Sequence, residues 1–401
     1  MNPPLPTDEP AWLQQQRRTA WQVFEKLPLP SRRDQDHQHF DLRALQLDAL
    51  SFPTPASAAL TTTLSNKLPG QGVIFCDLPT AVAQHGDLVQ PYFGRSVPAD
   101  EPHKFAALQA ALWRSGAFLY LPRNLRLTEP LHIHYHLTGQ HVAAFSRTLV
   151  IVEPGAEATL VQEFDGGPPA GSNGSASLHA GTTEVFVGEG AKLHYVSRQN
   201  FAPHVFDFTL KRAHVARDAE IDWVLGMFGA SFQRYDVECV MEAPGGTSFM
   251  YGVGVGDQHQ QFGQFTRQHH RAGDTTSDLL FKNVFRDTAV GSYAGLIKVE
   301  KNANGTNAYQ SNRNLVLDPA VQCDTRPILE IESNQLRCTH GATVGRLDEN
   351  QLYYLRSRGL TEPIARQVLI EAFVEPVLAR IQSAPVRDGF AQLIHEKLTG
   401  R

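Results

Sequence analysis

The sequence has 401 residues, of which 42% are hydrophobic and 19% are charged, a composition typical of a globular protein with a large core. The 36 basic and 41 acidic side chains give a formal net charge of −5, so no basic excess is available to neutralise nucleic-acid phosphates. No run of apolar residues is long enough to predict a membrane-spanning helix.

The N-terminal residues and the cysteines predict a cellular compartment. The start of the chain is polar and rich in proline, and it lacks the basic residues and apolar stretch of a signal peptide. Cys76, Cys239, Cys323 and Cys338 are scattered over most of the sequence, which is not the density of a disulfide framework. We therefore expect a cytoplasmic protein with reduced thiols.

Residues 1–115 are predicted to form a mostly helical N-terminal region. Leu13 and Phe24 lie on one face at helical spacing, and a Leu-Pro-Leu-Pro run ends this first helix. A later helix is expected to begin at Asp100 as the N-cap, with Pro102 in its first turn.

Residues 116–345 are predicted to form a mainly β core. From Phe118 onward, short β-type runs alternate with turns that contain Gly, Pro, Asn or Asp. The turns recur roughly every 15 residues or at twice that distance, a spacing that fits stacked coils of short strands in a parallel β-helix. No helix-length pattern interrupts residues 118–330, which argues against βαβ units and leaves an all-β sandwich as the alternative.

Residues 346–401 are predicted to be helical again. Asp348 is the expected N-cap of the first helix, and Gly359 is suited to the position after its last turn. A second helix is expected to begin after Thr361 and to kink or end at Pro376. Its predicted apolar face consists of Ile364, Val368, Leu369, Ala372 and Phe373.

Several common catalytic motifs are missing from the sequence, and one histidine run is a candidate metal site. There is no Gly-Lys dipeptide, which excludes a Walker A loop, and there is no Cys-x-x-Cys or Gly-x-Ser-x-Gly. His132, His134 and His136 would share one face of a strand, so two of them are able to chelate one ion. We favour a solvated strand face, because no acidic or cysteine third ligand is close in sequence.

A second candidate site is the pair Cys338 and His340. These residues share a face if 336–340 is a strand, where they are suited to a soft metal or the imidazole could lower the thiol pKa. Two ligands are too few for a metal site, so a partner would have to supply the others. Spacing alone favours a buried cysteine beside a hydrogen-bonded histidine at the end of a β stack.

Four segments in this part of the chain carry a family resemblance, namely 309–317, 329–331, 338–345 and 352–359. Together they closely resemble the signature of the SufB/SufD family of iron–sulfur cluster assembly proteins. SufB-type proteins tend to have His-Glu-Ala where this chain has His340-Gly341-Ala342. That difference, and an N-terminal segment beginning at Trp12-Leu13, favour the SufD branch of the family.

The resemblance implies a fold and a set of partners. The implied fold is a right-handed parallel β-helix between N-terminal and C-terminal helical regions. The implied role is that of a non-catalytic scaffold that forms a heterodimer with SufB through the ends of the β-helices. The SufC ATPase would bind the C-terminal region and would also bind the ATP, so this chain would hold no tightly bound cofactor of its own. The residues implied for contact with SufC are Leu352, Tyr354, Leu355, Arg358 and Phe373.

The resemblance also implies a site for a transient iron–sulfur cluster at the interface with SufB. His340 is the implied metal ligand, with Cys338 as a lesser candidate and SufB supplying the other ligands. Alternative functions are a purely structural partner of SufB, a carbohydrate-active β-helix enzyme, and a metal-dependent hydrolase that uses His132 and His134. A homodimer through the same β-helix edge is also expected when SufB is absent.

Overall fold

Two nine-stranded sheets face each other in the computed structural model and form a parallel β-solenoid of about eight turns. The structure describes residues 5–52, 59–65, 71–166 and 175–399. The strands are β1 (Leu60–Leu64), β2 (Ile74–Asp77), β3 (Ser115–Leu121), β4 (Leu131–Leu137), β5 (Ala143–Val152), β6 (Glu157–Gly166), β7 (Ser177–Val187), β8 (Lys192–Phe201), β9 (Val205–Val215), β10 (Glu220–Met227), β11 (Phe232–Met241), β12 (Thr247–Gly256), β13 (Gln261–His270), β14 (Thr276–Phe285), β15 (Val290–Val299), β16 (Thr306–Val316), β17 (Gln322–Ile331) and β18 (Leu336–Gly345).

Helices precede and follow the solenoid. They are α1 (Ala11–Lys26), α2 (Leu78–Gln84), α3 (Gly86–Val89), α4 (Lys104–Leu112), α5 (Glu349–Ser357), α6 (Glu362–Leu378) and α7 (Ala384–Thr399), with a short 3-10 helix at Leu47–Ala49. No helix within the described ranges has the length and apolar character needed to cross a membrane.

Successive strands alternate between the two sheets, so that each coil contributes one strand to each. Sheet A contains β1 and the even-numbered strands β4 to β18, and sheet B contains β2 and the odd-numbered strands β3 to β17. Neighbours are parallel throughout, except that β1 and β2 pair antiparallel with β4 and β3. The parallel β-helix predicted from turn spacing is therefore confirmed over the sandwich alternative.

Turns in the left-handed conformation recur once per coil. Gly155, Gly190, Asp218, Gly245 and Gly305 all have positive φ angles at such turns, as the turn spacing in the sequence indicated. At Gly245, a Cβ atom would collide with the carboxylate of Asp218 in the preceding coil. Glycine is thus required there both by the backbone conformation and by the close stacking of one turn on the next.

Over much of its length each sheet is covered on both sides, which explains why many strands are apolar without strict alternation. The lumen between the sheets holds the largest apolar cluster, which includes Tyr135, Tyr195 and Trp223. Helices α1, α2 and α4 pack on the outer face of sheet B. Helices α6 and α7 pack on the outer face of sheet A. The two helical regions therefore lie on opposite sides of the solenoid.

Two local predictions about helices are wrong. Helix α4 is capped by the imidazole of His103, whose Nδ1 accepts from the backbone N–H of Ala106 at 3.2 Å, rather than by Asp100. In α6 the residues that pack against the solenoid include Ile370 and Val374, whereas Ile364 is exposed. The apolar face predicted for α6 therefore points largely away from the core.

A buried carboxylate joins the N-terminal region to sheet B. Glu184 on β7 is fully buried, and it accepts from the backbone N–H groups of Gly94, Ser96 and Val97 at 3.0–3.2 Å. It also accepts from the buried guanidinium of Arg147 at 2.5 Å. This carboxylate therefore satisfies three loop donors and one buried cation at once.

We expect Glu184→Ala to lower the free energy of unfolding by about 3–5 kcal/mol, because it leaves Arg147 buried without its counter-charge. Urea denaturation followed by circular dichroism measures this change. The matched control is Glu220→Ala, which removes an exposed partner of Lys192 at 3.9 Å and is expected to cost less than about 1 kcal/mol. Equal losses in the two variants would contradict the role assigned to Glu184.

Candidate functional site

The C-terminal end of the solenoid is open. Strands β17 and β18 are the last strands of sheets B and A, and in the described part of the chain no further coil pairs with them. Both have ten residues, whereas β1 and β2 at the other end have five and four. Long unpaired edges of this kind are suited to pairing with another chain. Exposed apolar side chains near this end are Tyr309, Ile328, Ile331 and Val344.

Cys338 and His340 both lie on β18, two residues apart on a regular strand. Cys338 is opposite Ala308 on β16, and it packs half-buried against a small cluster that contains Ile297. His340 is opposite the buried Gln310, but it is exposed. Among the described residues no further coil stacks on β18. The imidazole of His340 is therefore open to solvent, whereas Gln310, at the matching position of the preceding coil, is buried.

The thiols near the open end have raised pKa values. Burial, with a smaller contribution from Asp324, raises the pKa of Cys323 on β17 to about 12. Burial also raises the pKa of Cys338. The hypothesis that a neighbouring imidazole lowers this pKa is therefore wrong in direction. Both groups are thiols rather than thiolates at neutral pH.

The open end does not contain a complete set of metal ligands. Within the described residues, Cys338 and His340 belong to no group of three possible ligands with their donor atoms close together. Such a group does form elsewhere, from His134, His136 and Asp165. Both of these histidines are in the run that the sequence indicated as a candidate metal site. The carboxylate was not predicted, because Asp165 lies on the next coil.

The five residues predicted to contact an ATPase partner occupy different environments. Leu352 is buried, and the ring of Phe373 packs over Lys282 Nζ at 4.6 Å, so both hold the helices in place. Leu355 is half-buried. Tyr354 and Arg358 are exposed, with the guanidinium 5.2 Å from the ring centre.

Four exposed apolar side chains lie on the two contacting helices α5 and α6 and include Tyr354. They are Tyr353, Tyr354, Ile364 and Val368, which are 39–75% exposed. We call these four residues the α5–α6 patch. The signal in the sequence was the apolar face predicted for α6, which indicated a buried surface and in fact marks an exposed one. A cluster of exposed aromatic and branched side chains is typical of a protein-binding surface.

Comparisons with known proteins show which family the chain resembles. Residues 135–373 match the family described as "SUF system FeS cluster assembly, SufBD core domain", and residues 57–133 match "SufBD protein N-terminal region". An iron–sulfur cluster assembly SufBD family protein of Staphylococcus epidermidis is 27% identical over 403 residues, covering 92% of this chain and 86% of that protein. Homologues with the same family name from Staphylococcus saprophyticus and Staphylococcus aureus are 29% identical over 313 residues; this match covers 78% of the chain and 66% of each homologue's length.

We expect Cys323 in the native chain to react with iodoacetamide far more slowly than the same residue in the unfolded chain. A pKa of about 12 instead of 9 leaves roughly a thousandfold less thiolate at pH 8. The rate is measured by mass spectrometry of the alkylated peptide, with a chain unfolded in urea as the control. Alkylation of native Cys323 at the unfolded rate would contradict the protonated state assigned to it.

Proposed function

The chain belongs to the SufBD family of iron–sulfur cluster assembly proteins, and from this membership we propose that it is a SufD-type scaffold that works with SufB and the SufC ATPase. The observation that carries this proposal is the open end of the solenoid. There β17 and β18 are long, each has one edge that no strand of the described residues pairs with, and exposed apolar side chains lie nearby. A second β-helix docking there would satisfy the free edges of the strands and cover these apolar side chains.

We propose that His340 takes part in assembling the cluster at this interface. It is exposed on the last strand, and among the described residues it belongs to no group of three possible ligands with their donor atoms close together. SufB would supply the remaining ligands, so a site for iron and sulfide would exist only in the complex. Cys338 is the lesser candidate, because iron would have to displace a proton that burial holds on the thiol.

The α5–α6 patch is the surface that we propose for SufC. Helix α6 connects this patch to the solenoid, since Lys282 of β14 donates to the backbone carbonyl of Phe373 at 2.5 Å. Movement of SufC on binding ATP would therefore pull on sheet A and, through it, on β18. The nucleotide would remain with SufC, in agreement with the missing Gly-Lys dipeptide in this sequence. In this scheme the chain is a scaffold and not an enzyme.

A purely structural partner of SufB is the second candidate function. It is favoured by the raised pKa of Cys338, which leaves His340 as the only readily available ligand of the predicted pair. The two functions differ in one respect, which is whether clusters are lost when the imidazole is removed and the complex stays intact.

We expect His340→Ala to abolish cluster accumulation while leaving the complex assembled, because only the proposed ligand is removed. The variant is co-expressed with SufB and SufC from the same organism, and the complex is isolated without oxygen. Iron and sulfide analysis measures the cluster, and gel filtration measures assembly. The matched control is Thr339→Ala on the other face of the same exposed strand, which should retain both. Normal clusters in an intact His340→Ala complex would instead support the structural role.

For SufC, we expect the double change Tyr354→Ser and Ile364→Ser to weaken binding at least tenfold without lowering the thermal stability of the isolated chain. Both side chains are exposed, so their loss removes contact area and leaves the core unchanged. Isothermal titration with SufC measures the affinity, and Asp388→Ala on the exposed side of α7 is the control. Unchanged affinity in the double variant would place the SufC site elsewhere.

A further inference from the structure

Two histidines and an aspartate meet on the outer face of sheet A, far along the chain from the open end. His134 Nε2 lies 2.9 Å from Asp165 Oδ2, and His136 Nδ1 lies 2.5 Å from Asp165 Oδ1. One donor atom from each of the three residues lies within 4.8 Å of the others. The side chains are 39–45% exposed, so solvent and ions have access to them.

The coil geometry brings these residues together. In β4, Ile133 and Tyr135 point into the lumen, and the alternating histidines therefore lie on the outer face. Strands β4 and β6 are parallel neighbours whose register places His136 opposite Asp165. The carboxylate thus reaches both imidazoles although it lies 29 residues after His136 in the sequence.

The nearby Arg198 is paired with another acidic side chain, so Asp165 is able to pair with the two histidines. The acidic side chain two residues before Asp165 on the same face of β6, Glu163, is paired with Arg198 of β8. The carboxylate of Asp165 instead contacts the imidazoles of His134 and His136.

We propose that His134, His136 and Asp165 form a binding site for one divalent first-row transition-metal ion, of which Zn²⁺ is the test case. Two imidazoles and one carboxylate are a ligand set that such ions accept, and they leave a position open for water. Ligand atoms of a tetrahedral zinc site lie about 3.3 Å apart, since each is roughly 2.0–2.1 Å from the ion. Small rotations of the three side chains would replace their mutual hydrogen bonds with bonds to the ion.

A cavity of about 170 Å³ lies beside the carboxylate of Asp165. Its lining includes Glu163, Arg198, Asn200 and Gln392 but neither histidine, so it borders the cluster on the side of Asp165 only. The site is independent of the proposed cluster interface, because all three ligands come from this chain and from its first coils.

The proposal is tested by titrating the full chain with Zn²⁺ by calorimetry and with Co²⁺ by visible absorption, after removal of adventitious metal. We expect one ion per chain, a tetrahedral or five-coordinate cobalt spectrum without a thiolate charge-transfer band, and a rise in thermal stability with zinc. His134→Ala and Asp165→Asn should each weaken binding at least tenfold. Circular dichroism and metal-free melting confirm that these variants are folded.

Two control variants separate this site from other zinc ligands. His132→Ala removes a histidine from the same face of β4 that is not part of the cluster, and it should bind zinc like the wild type. Cys338→Ser should also bind normally, because the proposed site contains no sulfur. The proposal is overturned if folded His134→Ala and Asp165→Asn bind as the wild type does. It is likewise overturned if Cys338→Ser loses the ion, or if the wild type binds no more tightly than about 1 mM, an affinity equivalent to about −4 kcal/mol.

Discussion

The structure depends on the hydrogen bonding of each strand to the strands in the coils before and after it. At the N-terminal end this requirement is met by β1 and β2, which are short and run antiparallel to the solenoid strands. Nothing equivalent covers β17 and β18 within the described residues. Pro327, which has no backbone N–H, is tolerated in β17 because that strand lies at an edge. Strand pairing within the chain therefore ends at β17 and β18, and a second chain that binds there can form the missing backbone hydrogen bonds.

The two helical regions restrict where a second chain can dock on the solenoid. The N-terminal region is fixed to the outer face of sheet B by the buried Glu184 carboxylate, and it also reaches the open end, where Asp36 pairs with Arg326 of β17 at 2.7 Å. The C-terminal helices cover the outer face of sheet A. Among the described residues, the free edges of β17 and β18, with the exposed apolar side chains beside them, and the α5–α6 patch remain uncovered.

Much of the fold is predictable from the sequence because a solenoid repeats its local rules. Residues such as Gly190 and Asp218 mark turns that recur once per coil, so their spacing indicates stacked strands before any contact is known. The α6 face was mispredicted because Ile364 and Val368 have the right spacing for a core, but Ile370 and Val374 pack against the solenoid instead. Burial of Cys338, which the spacing in the sequence favoured, raises its pKa, so the alternative in which the neighbouring imidazole lowers that pKa is wrong.

The same stacking determines which metal ligands the chain can bring together by itself. Asp165 reaches His134 and His136 because the next coil places a carboxylate beside them, and no sequence window short enough for a ligand motif contains all three. His340 lies on the last coil, where there is no next strand to supply such a neighbour. A coil in the interior can complete a ligand set within one chain, whereas a coil at the open end requires a second chain. This difference explains why the two candidate sites are expected to respond differently to mutation, the first in the isolated protein and the second only in the complex.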